Sequence, residues 1–267
     1  MHANRLGNYL TARRALISPA DAGLPLGDGP RRVDGLRREE VAELAGISSQ
    51  YYLRLEQGRD QHPSDQVLVA LVRALQLNRS SAYYLFLLAH SPPSLLESRP
   101  SEEVEDRTRW LVDSWDTPAV VHSRYLDVVA SNAAARALSP FFAEGFNSLG
   151  ALLLQPSMRD FYQDWEGIAE RSVALLRVMA GPDTGDRRLA EIVDELTGGS
   201  EIFRRVWSRS DVELTSTGTH RVTHPVMGEL ELHHKKLEIT GTHGQSIFVY
   251  HATPGSPTEQ ALALHRR

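Results

Sequence analysis

The side chains best suited to specific chemistry in this sequence are Ser49, Gln50, Tyr51 and Arg54. If the segment is helical, they project from one helix into solvent. A glutamine there can hold adenine through two hydrogen bonds, a serine reads permissively, and a tyrosine ring can lie on a thymine methyl or a phosphate. Arginines crowd the surrounding stretch at Arg31, Arg32, Arg37, Arg38, Arg54 and Arg59, and arginine is a natural phosphate ligand. For Arg31-Arg32 two readings stay open: a grip on phosphates or a minor groove, and a solvated loop.

Other reactive residue types do not converge on an enzyme. The chain has no cysteine, which removes disulfides, thiolate metal sites and cysteine nucleophiles together. His220 and His224 lie four apart, and His233, His234, His243 and His251 follow. Residues four apart on a strand share a face, but no tight carboxylate cluster joins these histidines, so no metal is expected. Asp164 and Glu166, two apart on a helix, point to different faces. The chain lacks a Gly-x-Ser-x-Gly elbow, a phosphate-binding glycine loop and a His-Glu-x-x-His helix. The expectation is a protein that is not an enzyme and carries no cofactor.

The elements that must position the reading residues follow from local pattern. Leu36 to Leu44 predicts a helix with Glu39 and Glu40 in its first turn. Gly46 predicts a left-handed stop, and Ser48 predicts the N-cap of a second helix that Gly58 ends. Two short helices joined so tightly must cross steeply. Ala42 permits close approach, and Val41, Leu44, Ile47, Tyr52 and Leu55 are the expected wedge. A first helix is predicted over residues 4–16 and a Pro/Gly-rich loop over 18–35. Further helices are predicted from Pro63-Ser64 and over Tyr83 to Leu88, before the Ser91-Pro92-Pro93-Ser94 boundary.

Beyond that boundary the pattern predicts a linking helix over Ser101 to Trp115, a β-rich stretch from Ala119 to Ala130 and a short helix from Asn132 to Leu138. A long helix is predicted over Asp160 to Ala180, with Phe161, Trp165, Ile168, Ser172, Leu175 and Met179 as its apolar stripe. Helices follow over Arg187 to Leu196 and Glu201 to Ser208. Val226, Gly228, Leu230 and Leu232 share one strand face, but Leu237 and Ile239 take the opposite phase. That change predicts a bulge or turn across His233 to Lys236. Ile247 to His251 reads as a buried strand, and Ser256-Pro257-Thr258-Glu259 as a helix start.

Length and charge fit this division. A chain of 267 residues, 41% hydrophobic and 24% charged, fits about two soluble domains. Residues 1–92 hold 11 Arg against 9 acids, and the remainder 18 basic against 25 acidic residues. A mildly basic head on an acidic body suits a nucleic-acid module joined to a domain that touches none. No apolar run spans a bilayer. The opening Met1-His2-Ala3-Asn4-Arg5 leads into an amphipathic segment, so a cytoplasmic protein is expected.

Leu36 to Pro63, including Leu55-Glu56-Gln57-Gly58-Arg59, resembles the Cro/C1-type (XRE-family) helix-turn-helix proteins. The resemblance implies that Arg38 opens the helix backing onto phosphate and that Ser49 and Gln50, beside Ser48, read bases. It also implies that Arg54 and Glu56 form a structural pair, so an ion pair and a DNA contact are both open for Arg54. Gly35-Leu36-Arg37-Arg38-Glu39-Glu40-Val41 and Tyr51-Tyr52-Leu53-Arg54-Leu55-Glu56-Gln57-Gly58-Arg59, with the long loop, resemble one branch, the MmyB-like transcription regulators. Asp164-Trp165-Glu166, Phe203-Arg204-Arg205-Val206-Trp207, His224-Pro225-Val226-Met227-Gly228 and Thr253-Pro254-Gly255-Ser256-Pro257 extend it over nearly the whole chain.

What the resemblance implies is an all-α, five-helix head over 1–92, a linker and connecting helix over 93–116, and an α+β PAS-like domain with an antiparallel sheet over 117–267. The head would bind double-stranded DNA; separately, because one head of this size contacts few base pairs, a homodimer is expected from geometry. The body would enclose an apolar small molecule such as a fatty acid. Aromatics are only 7% of the chain, yet all four tryptophans lie beyond residue 92. The expected ligand residues are Trp115, Asn132, Phe161, Trp165, Phe203, Trp207, Phe248 and Tyr250, each open also to a plain core role. His234 joins them because His234-Lys235 stands where the family usually has Tyr-Glu. Two rivals stay in view: a body that serves only dimerisation, and an enzyme fused to the head.

Overall fold

The computed structural model describes residues 4–24, 33–90, 103–181, 186–214, 216–242 and 244–264. Arg31 and Arg32, most of the Pro/Gly loop and the proline-rich linker lie outside these residues. The chain divides into two compact units, one built on the first five helices and one on a five-stranded sheet.

In the first unit, α1 (Arg5–Ala15), α2 (Arg38–Ala45), α3 (Ser49–Glu56), α4 (Asp65–Ala74) and α5 (Arg79–His90) surround a core of leucines, small residues and tyrosines. Each start has a local cause. Asn4 accepts from the Gly7 amide, Ser48 from Tyr51 and Ser64 from Val67, so each side chain satisfies an amide that lacks a partner in the first helical turn. Gly46, at φ 65°, stops α2 in the left-handed conformation that side chains disfavour, and three residues later α3 begins. Val41, Ala42, Tyr52 and Leu55 are fully buried as the wedge, whereas Leu44 and Ile47 are half-buried. The Tyr9 hydroxyl donates to the Ser81 carbonyl at 2.9 Å and its ring meets Tyr84 edge-on, tying α1 to α5.

The second unit begins with α6 (Asp106–Asp113), shorter than the helix expected over Ser101 to Trp115. Then come β1 (Ala119–His122), β2 (Val128–Ser131), α7 (Ala133–Leu138), a 3-10 turn over Pro140–Phe142, α8 (Ser148–Leu154), α9 (Pro156–Phe161) and α10 (Trp165–Ala180). After α11 (Arg187–Gly199) and α12 (Glu201–Ser208), of which the part from Arg205 groups with the first unit, come β3 (Thr217–His224), β4 (Gly228–Glu238), β5 (Ser246–His251) and α13 (Pro257–Leu264). The sheet is wholly antiparallel, in the order β2-β1-β5-β4-β3.

Two sequence expectations need correction. The long helix does not run from Asp160. The chain breaks at Tyr162 and Gln163, where Tyr162 bridges Val222 and the Gln163 amide donates to the Arg221 carbonyl. The buried stripe of α10 is Ile168, Ala169, Val173, Ala174, Leu176 and Ala180, turned about one residue from the larger side chains that suggested it. Small alanines set that face because they let the helix approach its neighbours. The second correction concerns β4, which pairs in unbroken register with β3 and β5 through residues 233–236. No bulge is needed: the face of Leu230 and Leu232 simply continues as His234 and Lys236. Leu237 points the other way and is 42% exposed.

Candidate functional site

In the first unit, α3 presents Ser49, Gln50 and Arg54 to solvent beside the exposed cap Ser48, with Tyr51 half-buried among them. The Arg54 guanidinium lies 5.2 Å from the centre of the Tyr51 ring, a cation–π arrangement that stiffens both side chains. Arg37 and Arg38 are exposed at the start of α2, and Arg59 is exposed just past α3.

The expected Arg54–Glu56 pair is not the one that forms. Glu56, its side chain 2% exposed, accepts from Arg14 Nε at 2.7 Å and from Arg38 Nε. Arg14 also donates to the Leu36 carbonyl at 2.7 Å. Residues two apart on a helix diverge by roughly 200°, so Arg54 faces solvent while Glu56 faces inward. One buried carboxylate thus joins α1, α2 and α3, and Glu56 holds Arg38 by one edge of its half-exposed side chain.

In the second unit, strand register decides which residues share a surface. His220 pairs with Leu232, Gly218 with His234, His234 with Tyr250, Lys236 with Phe248, and Phe248 with Val120. Directly paired residues project to the same side, so His220, His234, Phe248, Tyr250, Val120 and His122 line one face. Tyr250 stacks on Phe142 at 5.4 Å, Tyr162 meets His220 at 5.7 Å, and His122 Nε2 lies 2.8 Å from Ser148 Oγ. The 3-10 turn, α8 and the end of α9 therefore cover this face. Phe161 touches Tyr162 and approaches His224.

The histidines and tyrosines of this face are buried or half-buried. Burial lowers the pKa of His122, His220 and His234 to about 4 each. It pushes the phenols of Tyr162 and Tyr250 well up. Each histidine has a buried Nδ1 with no hydrogen-bond partner. At neutral pH the face carries neutral imidazoles and protonated phenols beside aromatic rings.

Of the expected ligand residues, register brings His234, Phe248 and Tyr250 together, and Phe161 lies beside them. The others lie elsewhere. Trp115 packs on the opposite face of the sheet, against the cluster of Val104, Val112, Ala119, Val121, Ala130 and Ile247. Asn132 Oδ1 accepts from the Ala119 and Ala135 amides, while Nδ2 donates to the Val112, Trp115 and Thr117 carbonyls. Its polar capacity is consumed by the backbone. Trp165 Nε1 donates to the Leu152 carbonyl at 2.8 Å with Arg159 over its ring, so it pins α10 to α8. Phe203 is wholly buried in the core. Trp207 lies in the segment 205–213, which groups with the first unit.

Sequence reasoning missed His122, Tyr162 and Phe142 on this face and weighed His220 only as a metal ligand. Two-residue alternation with His234 across a Gly218 pairing was the signal available for His220; Tyr162 had none, because a non-local bridge places it. Among the described residues no group of three or more His, Asp or Glu could hold a metal ion, and no helix is long and apolar enough to cross a membrane. A cleft of about 330 Å³ lies between β3, β4 and the start of α13, lined by Gln163, Arg221, Glu229, Leu230, Glu231 and Thr253 among others.

Comparison with known families agrees with both units. Residues 5–81 match the model of a helix-turn-helix domain. Residues 104–264 match the model of the MmyB-like transcription regulator ligand binding domain. No curated protein matches the chain.

Proposed function

The chain belongs to the MmyB-like transcription regulators and is a DNA-binding regulator with a ligand-binding domain, and from that premise we propose how each unit works. The first unit docks α3 in the major groove, where Ser49, Gln50 and Tyr51 meet base edges and Arg54 stiffens Tyr51. Arg37, Arg38 and Arg59, with Arg31 and Arg32 from the loop, meet phosphates. Such contacts fix register without reading sequence. One head of this size spans few base pairs, so the protein acts as a homodimer on half-sites about 34 Å apart.

The second unit takes an apolar small molecule, a fatty acid being the best fit, against the face that holds Phe248, Tyr250 and Phe161. The observation that carries this reading is the composition of that face: buried rings for an alkyl chain, interrupted by neutral imidazoles whose buried Nδ1 lacks a partner. Ligand occupancy acts on DNA only if it favours one arrangement of the heads over another. A coupling of about 1–3 kcal/mol changes operator affinity some 5- to 150-fold.

The test is operator affinity of the delipidated chain, and of the same chain refilled with a long-chain fatty acid, with occupancy followed by native mass spectrometry. A shift of fivefold or more is expected. Equal affinities at confirmed occupancy would end the sensing role.

A further inference from the structure

We propose that the His220–His234 pair seats the polar head of the ligand, and seats it as a carboxylate, one proton entering the pair as the anion arrives. The inference rests on the reading of the second unit as the ligand-binding domain. The two rings come from neighbouring antiparallel strands and lie face to face, 4.6 Å apart and 8° from parallel. That stack depends on the residue paired with His234. A Cβ at Gly218 would meet the His234 ring at 2.5 Å, so the imidazole occupies space that another side chain would fill.

Both rings keep a buried Nδ1 without a hydrogen-bond partner. Buried polar atoms are ordinarily satisfied, and two adjacent exceptions on one face point to a partner from outside the chain. The surroundings state its chemistry. Tyr162 lies 5.7 Å from His220, and Tyr250 lies 6.5 Å from His220 and 6.1 Å from His234, ring centre to ring centre. Their phenols, kept protonated by burial, are donors. Phe248 continues the face from His234 as an apolar wall for a chain.

Charge settles the choice between a neutral head and an acidic one. His220 is held neutral by burial, then by His234 and Arg171, against the pull of Asp164. His234 is held neutral by burial, then by Arg171 and His251. Arg171 is itself bonded to Asp164 at 3.1 Å, and Lys236, on the same face, reaches Glu238 at 3.4 Å. Burial therefore does most to hold the pair neutral, and Arg171 adds to it. An incoming carboxylate offsets both, and one imidazole becomes an imidazolium that donates to it.

The probes are decanoate and decan-1-ol, titrated calorimetrically into the delipidated full chain between pH 6 and 8, in buffers of unequal ionisation heat. Decanoate is expected to bind with uptake of about one proton, tightening about tenfold for each pH unit lowered. The alcohol should bind with neither effect. In the H220Q/H234Q variant the alcohol should bind as before, while the uptake and pH slope for decanoate disappear. The wild-type slope stands as a test even if the variant does not fold. Decanoate binding to wild type without proton uptake would overturn the proposal. So would uptake that persists in the variant, because the proton would then travel on the ligand. Either result leaves the ligand-binding reading intact. Failure of both probes to bind a chain that still binds its operator would instead remove that reading, and this inference with it.

Discussion

Replacing Glu56 by glutamine removes one negative charge and almost no volume. In the folded head that charge is shared by two guanidinium groups. Arg38 is half exposed, so solvent screens much of its attraction to Glu56 and the loss there is small. Arg14 is 12% exposed and keeps the Leu36 carbonyl as a partner once the carboxylate is gone. Breaking one side of a buried ion pair costs about 3–5 kcal/mol because an uncompensated charge stays behind. The retained bond to Leu36 puts Glu56→Gln at the lower end, about 3 kcal/mol, which is roughly a hundredfold in an equilibrium. Trp207 groups with the first unit while the other three tryptophans lie in the second, so tryptophan fluorescence does not report on α1–α5 alone. Amide hydrogen exchange read by mass spectrometry over α1, α2 and α3 does. Protection there should fall about a hundredfold while the sheet is unchanged. The double variant Arg14→Met/Glu56→Leu should recover most of the loss, since no buried charge is left alone. A fall of less than tenfold in Glu56→Gln would refute the argument and class the triad with exposed ion pairs.

Three further outcomes are expected. Gln50→Ala should lose about 1–3 kcal/mol on the cognate operator and relax base preference at one position, whereas Arg37→Ala should weaken cognate and random DNA alike; titrations on both DNAs distinguish them. His122 is buried and held near pKa 4 by burial, against about 6.5 in the unfolded chain. The unfolded state therefore takes up the proton first, and stability is lost as pH falls from about 6.5 to 4, by roughly 3 kcal/mol for this residue; urea midpoints across that interval should show a shallower loss in His122→Asn. Asn132→Ala strands two amides and three carbonyls around β1 and α7 and should cost about 3 kcal/mol, read as a lower urea midpoint for the second unit.

Much of the head was legible because its determinants are local. Ser48 as a cap, Gly46 as a left-handed stop and Gly58 as the end of α3 each act within four residues, and each is found where the pattern put it. Even α12, Glu201 to Ser208, keeps its predicted limits. The errors share a different origin. Which side of the sheet Trp115 lies on, whether β4 keeps its register past His233, and which arginine reaches Glu56 are all settled by partners far away in sequence. Periodicity reports that a residue is buried but not which of two buried faces it joins. Phe161 and Trp165 fell on one helical stripe by spacing alone, and the bridge from Tyr162 to Val222 separates them into two helices.

The crowding between Gly218 and His234 has a historical consequence. A side chain at 218 and a ring at 234 compete for the same few ångströms, so the effect of changing one depends on the state of the other. A lineage can replace His234 by something smaller and then fill position 218 at little cost. The reverse order forces the imidazole off His220 in the first step. Descendants of this sequence therefore have an ordered route away from the paired histidines, and the glycine is released for substitution only after the ring has gone.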